Sequence, residues 1–145
     1  MAGFLWGDFV LFVTATIALH IIVDFHLQGC LADLKQKKWW LDNVFAKGFD
    51  HKYEKDYLAA LIIHSLEWSI FVHIPVLFMT YHFTGSGSII SLILFFSILL
   101  HAGIHAFIDD LKCNKLKINL VQDQILHLGQ LVLIIATYMG ALLIV

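Results

Sequence analysis

Ile89-Ile-Ser-Leu-Ile-Leu-Phe-Phe-Ser-Ile-Leu-Leu-His101-Ala-Gly-Ile-His105-Ala-Phe-Ile-Asp109 is the stretch whose reading decides the fold. No charged residue precedes His101 in it. A transmembrane helix needs roughly 20 mostly apolar residues, and this run has that length. Its second half carries His101, His105 and Asp109 at intervals of four. On a helix such residues stack on one face. Ionisable side chains are expensive inside a bilayer, so a polar stripe on an apolar span marks a functional site by default.

Three further segments, about 4–28, 57–83 and 120–145, are also apolar enough to span. Each has its own stripe: His20, Asp24 and Gln28; His64 and Glu67; Asp123, His127 and Gln130. The whole chain has 145 residues, 60% hydrophobic and 14% charged, with a mean hydropathy of +0.84. A soluble domain rarely has this composition. The expectation is an all-α polytopic membrane protein, a single domain over 1–145 built as a four-transmembrane-helix bundle. There is no arginine, which argues against a nucleic-acid partner. Cys30 and Cys113 form no CxxC pair and read as small packing residues.

The connections differ in character. Residues 33–56 and 110–119 are polar and hold all nine lysines, whereas Thr84–Ser88 is an uncharged Gly-Ser turn. The positive-inside rule therefore puts both lysine loops in the cytoplasm and both termini outside, in an inner membrane. The first segment lacks a basic leader and a small-residue cleavage site, so it reads as a retained helix. Leu31, Leu34, Lys38, Leu41 and Phe45 follow helical spacing beside Trp39 and Trp40. That predicts one short amphipathic helix in the inner interface, between the first and second spans.

Topology then brings the stripes to one depth, near the lysine-rich end. His20, Asp24, His64, His101, His105, Asp109, Asp123 and His127 become candidate metal ligands, since His and carboxylate on facing helices are how bundles hold metals. So many ligands exceed the needs of one ion, and one or two ions are expected, bridged by a carboxylate. Mixed nitrogen and oxygen donors suit zinc, manganese or iron. Gln28, Gln124 and Gln130 are expected to orient the ligands or touch substrate. Glu67 is the candidate general base. Lys112, with the first-loop lysines, is expected to attract an anionic group. His26 lies off its stripe, His73 points away from His64, His82 sits near the outer end, and His51 reads as a solvated loop residue.

The motifs His20-x3-Asp24-x3-Gln28, a mid-chain His64, His105-x3-Asp109-x2-Lys112 and Asp123-Gln124-x2-His127 occur in this order along most of the chain. The chain thereby resembles an uncharacterised family of small bacterial and phage integral-membrane proteins, a domain-of-unknown-function family. The resemblance implies a multi-span membrane protein with those residues as its signature, and no activity. His101 and Glu67 fall outside the pattern. Gly29-Cys30 stands where the family pattern has Asp-Trp soon after the glutamine, and Trp39-Trp40 comes later. A looser similarity, of chemistry only, links the chain to membrane-bound metal-dependent hydrolases.

These readings converge on a membrane-embedded, metal-dependent hydrolase acting on a phosphoester or other ester, with a lipid or small-molecule substrate. Two other functions use the same residues or none of them. One is a divalent-cation or proton transporter or channel. The other is a structural or accessory membrane protein. Ala15, Ala18, Gly103 and Gly129 are small residues suited to oligomer contacts.

Overall fold

A computed structural model describes residues 6–44, 47–48, 53–84 and 88–144. The side chains of residues 80, 82–84, 88–91 and 141–144 are left out of this description, so His51, the side chain of His82 and most of the Gly-Ser turn lie outside the described residues. The described chain is helical: α1 (Trp6–Ile21) runs into a π-helical turn (Ile22–His26), followed by α2 (Leu31–Leu34), α3 (Lys37–Asn43), α4 (Asp56–Thr84), α5 (Ser88–Cys113) and α6 (Leu120–Ile144). Four of these spans are long and apolar enough to cross a membrane: Trp6–His26, Asp56–Met79, Leu92–Cys113 and Leu120–Gly140.

The four long helices form an all-α bundle. α4 packs against α1, α5 and α6, and α6 closes on α1 and α5. Half of the α4 span is buried, against 28%, 39% and 28% for the other three, so α4 is the central helix. The core gathers Phe12, Trp68, Val72, Val76, Leu131 and Ile134. Outward-facing positions such as Leu11, Phe78, Phe96, Leu100 and Val132 are exposed and apolar. An apolar exterior around a partly polar interior is the arrangement a bilayer favours.

Two boundaries differ from the sequence expectation. α5 does not stop at Asp109 but continues to Cys113, so Lys112 is a helical residue in its last turn. A cation there complements the helix dipole. The helix ends through Lys117 N–H donating to the Leu111 carbonyl (2.8 Å), with Leu116 at φ 53°. This is a left-handed C-terminal cap. α6 then starts with a reciprocal cap: Gln122 N–H donates to Asn119 Oδ1, and Asn119 N–H donates to Gln122 Oε1, both at 3.0 Å.

The single amphipathic helix expected over residues 31–44 is broken in two. Gln36 has extended backbone (φ −95°, ψ 117°), and this separates α2 from α3. Asn114 secures the break from below. Its Oδ1 accepts from Lys37 N–H (2.7 Å), and its Nδ2 donates to the Lys35 carbonyl (3.2 Å) and to Asp110 Oδ1 (3.0 Å). The break turns Lys35 inward, where it is 4% exposed.

Candidate metal centre

The site sits where the lysine-bearing connections meet the bundle. The π-helical turn at the end of α1, closed by Leu27 N–H to the Ile22 carbonyl (3.0 Å), buries Val23 and Asp24. Such one-turn widenings recur at functional sites. The Gln28 amide donates to the Asp24 carbonyl and, at 3.4 Å, approaches Asp24 Oδ1. α4 contributes His64 and Trp68, α5 contributes His105 and Asp109, and α6 contributes Asp123 and His127. All six are buried, the histidines completely.

Their ligand atoms converge. Asp24, His105, Asp109 and His127 each offer one donor atom, and these four atoms lie within 4.8 Å of one another. His64 Nε2 joins them, 3.3 Å from His105 Nε2 and 3.5 Å from both Asp24 Oδ1 and Asp109 Oδ2. His105 Nε2 is 3.8 Å from each of the same two oxygens. Donors bonded to a tetrahedral zinc at its usual N and O distances stand about 3.3 Å apart. The three His64 separations, 3.3–3.5 Å, are near that spacing, and the two His105–carboxylate separations, 3.8 Å, are somewhat wider.

Asp109 also faces a second group through its other oxygen. His127 Nε2 is 3.5 Å from Asp109 Oδ1 and 3.5 Å from Asp123 Oδ1. Neither His127 Nε2 nor Asp123 Oδ1 finds a hydrogen-bond partner among the described residues, although both are buried. A buried acceptor without a partner is costly. A cation held jointly by these atoms removes that cost.

Surrounding groups fix the ligands in place. Trp68 Nε1 donates to His20 Nδ1 (2.8 Å), which leaves His20 Nε2 to donate to Gln124 Oε1 (3.2 Å). Gln124 Nε2 in turn donates to Asp24 Oδ2 (2.9 Å) and Asp123 Oδ2 (3.1 Å). One relay therefore ties α4, α1 and α6 to two candidate ligands. Trp68 stacks on His105, and His105 on His127, each with ring centres 4.2 Å apart. The Nδ1 atoms of His64, His105 and His127 have no hydrogen-bond partner among the described residues. Stacking orients the His105 and His127 rings, and a tilted contact with His105 (ring centres 5.2 Å apart) borders His64.

Two ammonium groups approach the carboxylates. Lys112, expected to attract an anionic group, places its Nζ 2.8 Å from Asp123 Oδ2. Lys35 Nζ is 2.5 Å from Asp109 Oδ2. Lys35 was expected only as one of the loop lysines. Its one distinguishing sign in the sequence is its position four after Leu31, on the apolar side of the expected helix.

Three expected site residues stand apart from the converging atoms. His20 has both ring nitrogens engaged by Trp68 and Gln124, so it supports the site rather than supplying a ligand atom. Glu67 is exposed, because α4 turns the line of His64, Trp68 and Val72 inward and carries the residue three after His64 to the flank. His101 lies one helical turn beyond His105. There the Gln130 amide donates to the His101 carbonyl (2.6 Å) and approaches its Nδ1 (3.3 Å). His101 belongs to a second polar layer with His73, which the sequence sets apart from His64 but which is completely buried and meets Ser97 and His101 of α5. His73 Nδ1 meets the Ser69 carbonyl (2.6 Å), and its Nε2 meets Ser97 Oγ (3.1 Å). His73 and His101 have ring centres 5.6 Å apart.

Comparisons with protein-family models, curated proteins and solved structures return no match. The geometry of the buried His/Asp cluster, which can hold a metal ion, is therefore what the functional reading rests on.

Proposed function

We propose that this protein is a membrane-embedded, metal-dependent hydrolase whose centre lies on the cytoplasmic side of the bundle. The observation that carries the reading is the convergence of Asp24, His64, His105, Asp109 and His127, all buried, with donor atoms at spacings that suit a transition metal. Asp109 presents one oxygen to His64 and His105 and the other to His127, which suits a carboxylate bridging two ions. A bound zinc, manganese or iron would polarise a scissile ester and make water nucleophilic near neutral pH. The protein's own part is to hold the ligands through Gln124, His20 and Trp68, and to keep Lys112 and Lys35 beside the carboxylates for an anionic substrate. Glu67, exposed and off the inward line, does not reach the centre and is not its base.

Elemental analysis of detergent-purified protein, combined with turnover of chromogenic phosphate and carboxylate esters, tests this. The expectation is stoichiometric transition metal and metal-dependent turnover that Asp109→Ala abolishes. Protein with metal but without turnover of either ester class would sink the hydrolytic reading.

One observation favours a second reading, divalent-cation or proton conduction. The layer of His73, Ser69, Ser97, His101 and Gln130 continues the polar interior away from the centre. Past it, Phe12, Val76, Leu94 and Ile134 close the interior with apolar side chains, and a pathway needs polar groups on both sides. Cation flux into proteoliposomes, lost in Asp109→Ala, would favour conduction over hydrolysis.

A further inference from the structure

Lys35 is buried against Asp109. Ordering and burying a lysine side chain costs entropy and hydration. Yet the α2–α3 break, clasped twice by Asn114, delivers the Lys35 ammonium to 2.5 Å from Asp109 Oδ2. That oxygen also faces the His64 and His105 Nε2 atoms, at 3.5 and 3.8 Å. A metal ion seated among those donors and the ammonium would share one carboxylate oxygen, and two cations so close repel each other. An anion touching both relieves the repulsion.

The charge count points the same way. Asp24, Asp109 and Asp123 bring three carboxylates, and Lys35 and Lys112 bring two ammonium groups. Together they leave one net negative charge. A single divalent cation turns that into one net positive charge, and a second ion makes it three. Uncompensated positive charge in a low-dielectric interior calls for an anionic partner.

We propose that Lys35 is the phosphate-binding residue of this centre: its ammonium moves from Asp109 Oδ2 onto a phosphate group held beside the metal, and the substrate is a phosphate ester rather than a neutral ester. This rests on the metal-centre reading above. Lys35 then touches substrate, Asn114 is the positioning residue that holds its backbone, and Lys112 flanks the same group from Asp123.

The test is inorganic phosphate binding to metal-loaded full-length protein, followed calorimetrically, with bound metal measured on the same samples. Wild type should bind phosphate, and only when metal is present. Lys35→Gln should keep its metal and weaken phosphate binding by roughly ten- to a hundredfold, the worth of a charge-assisted hydrogen bond. Lys35→Arg should recover most of the affinity. Retained metal in Lys35→Gln also shows that the variant folds. Nanodiscs of phosphatidylcholine with and without phosphatidic acid locate the source of the phosphate. Competition by phosphatidic acid supports a lipid headgroup, and its absence supports a soluble phosphate compound. Metal-loaded wild type that ignores phosphate would overturn the proposal and leave the metal centre standing. Tighter metal binding by Lys35→Gln with unchanged phosphate affinity would overturn it too, and would make Lys35 a competitor of the metal. Wild type without metal would instead remove the reading beneath it.

Discussion

The bundle holds two buried histidine layers, with His101 one turn from His105 on α5 and His73 nine residues from His64 on α4, and they are chemically unlike. The layer at the lysine-bearing end has His64, His105 and His127 among Asp24, Asp109 and Asp123. Four of its imidazole nitrogens and Asp123 Oδ1 lack hydrogen bonds among the described residues. The deeper layer, His73 and His101, contains no carboxylate among the described residues, and its imidazoles contact Ser69, Ser97 and Gln130. Burial and histidine content are therefore poor markers of a metal site. Carboxylates with converging, unsatisfied donors are better ones. The deeper layer is what interhelical hydrogen bonding looks like, worth about 1 kcal/mol per contact.

This contrast can be broken or sharpened by substitution. The largest effect should come from Asp109→Ala, which removes both oxygens shared by the two ligand groups. Metal affinity should fall by more than about a hundredfold, beyond what loss of a supporting residue causes, as read by competition with a chelating dye. Next is Trp68→Phe, which keeps the stacking ring and deletes the donor to His20. With the relay through Gln124 loosened, metal affinity should drop by about tenfold. Metal loading should also stabilise the wild-type fold by about 2.7 kcal/mol at a free-metal concentration a hundredfold above Kd. Asp109→Ala should lose that gain in detergent unfolding.

His101→Leu should behave oppositely. It removes the Nδ1 contact with Gln130 and the ring contact with His73 but keeps the bond to the residue-101 carbonyl, and should cost about 0.5–1.5 kcal/mol of stability, while metal affinity stays near that of wild type. A large loss of metal in this variant would merge the two layers into one site. The smallest effect belongs to Glu67→Gln. As an exposed residue it should change stability by no more than about 0.5 kcal/mol and leave turnover unaltered.

The four long helices were legible because span length is a composition signal: expected bounds of 57–83 and 120–145 meet Asp56–Thr84 and Leu120–Ile144. The helix pairs Asp24/His20, His105/Asp109 and Asp123/His127 were legible because four residues return a helix to the same face. Spacing alone misled at two places. Four residues also advance about 6 Å along the axis, so His101 shares a face with His105 but not a depth. Glu67 lies about 4.5 Å along α4 from His64 and is rotated off its buried face. Lys35 was hidden for another reason. It lies among Lys37 and Lys38, and only the backbone break at Gln36, held by Asn114 from 77 to 79 residues away, points it inward. Tertiary clasps of that kind leave no periodic trace. The motif order from His20 to His127 nonetheless marked the right ends of the right helices.

The most direct measurement is anomalous scattering from crystals of metal-replete protein at the absorption edge of the bound metal. The account predicts a peak among His64, His105, Asp24 and Asp109, with any second peak between Asp109, Asp123 and His127. Crystals with no anomalous peak among these residues, or with the metal held instead by His73 and His101, would contradict it.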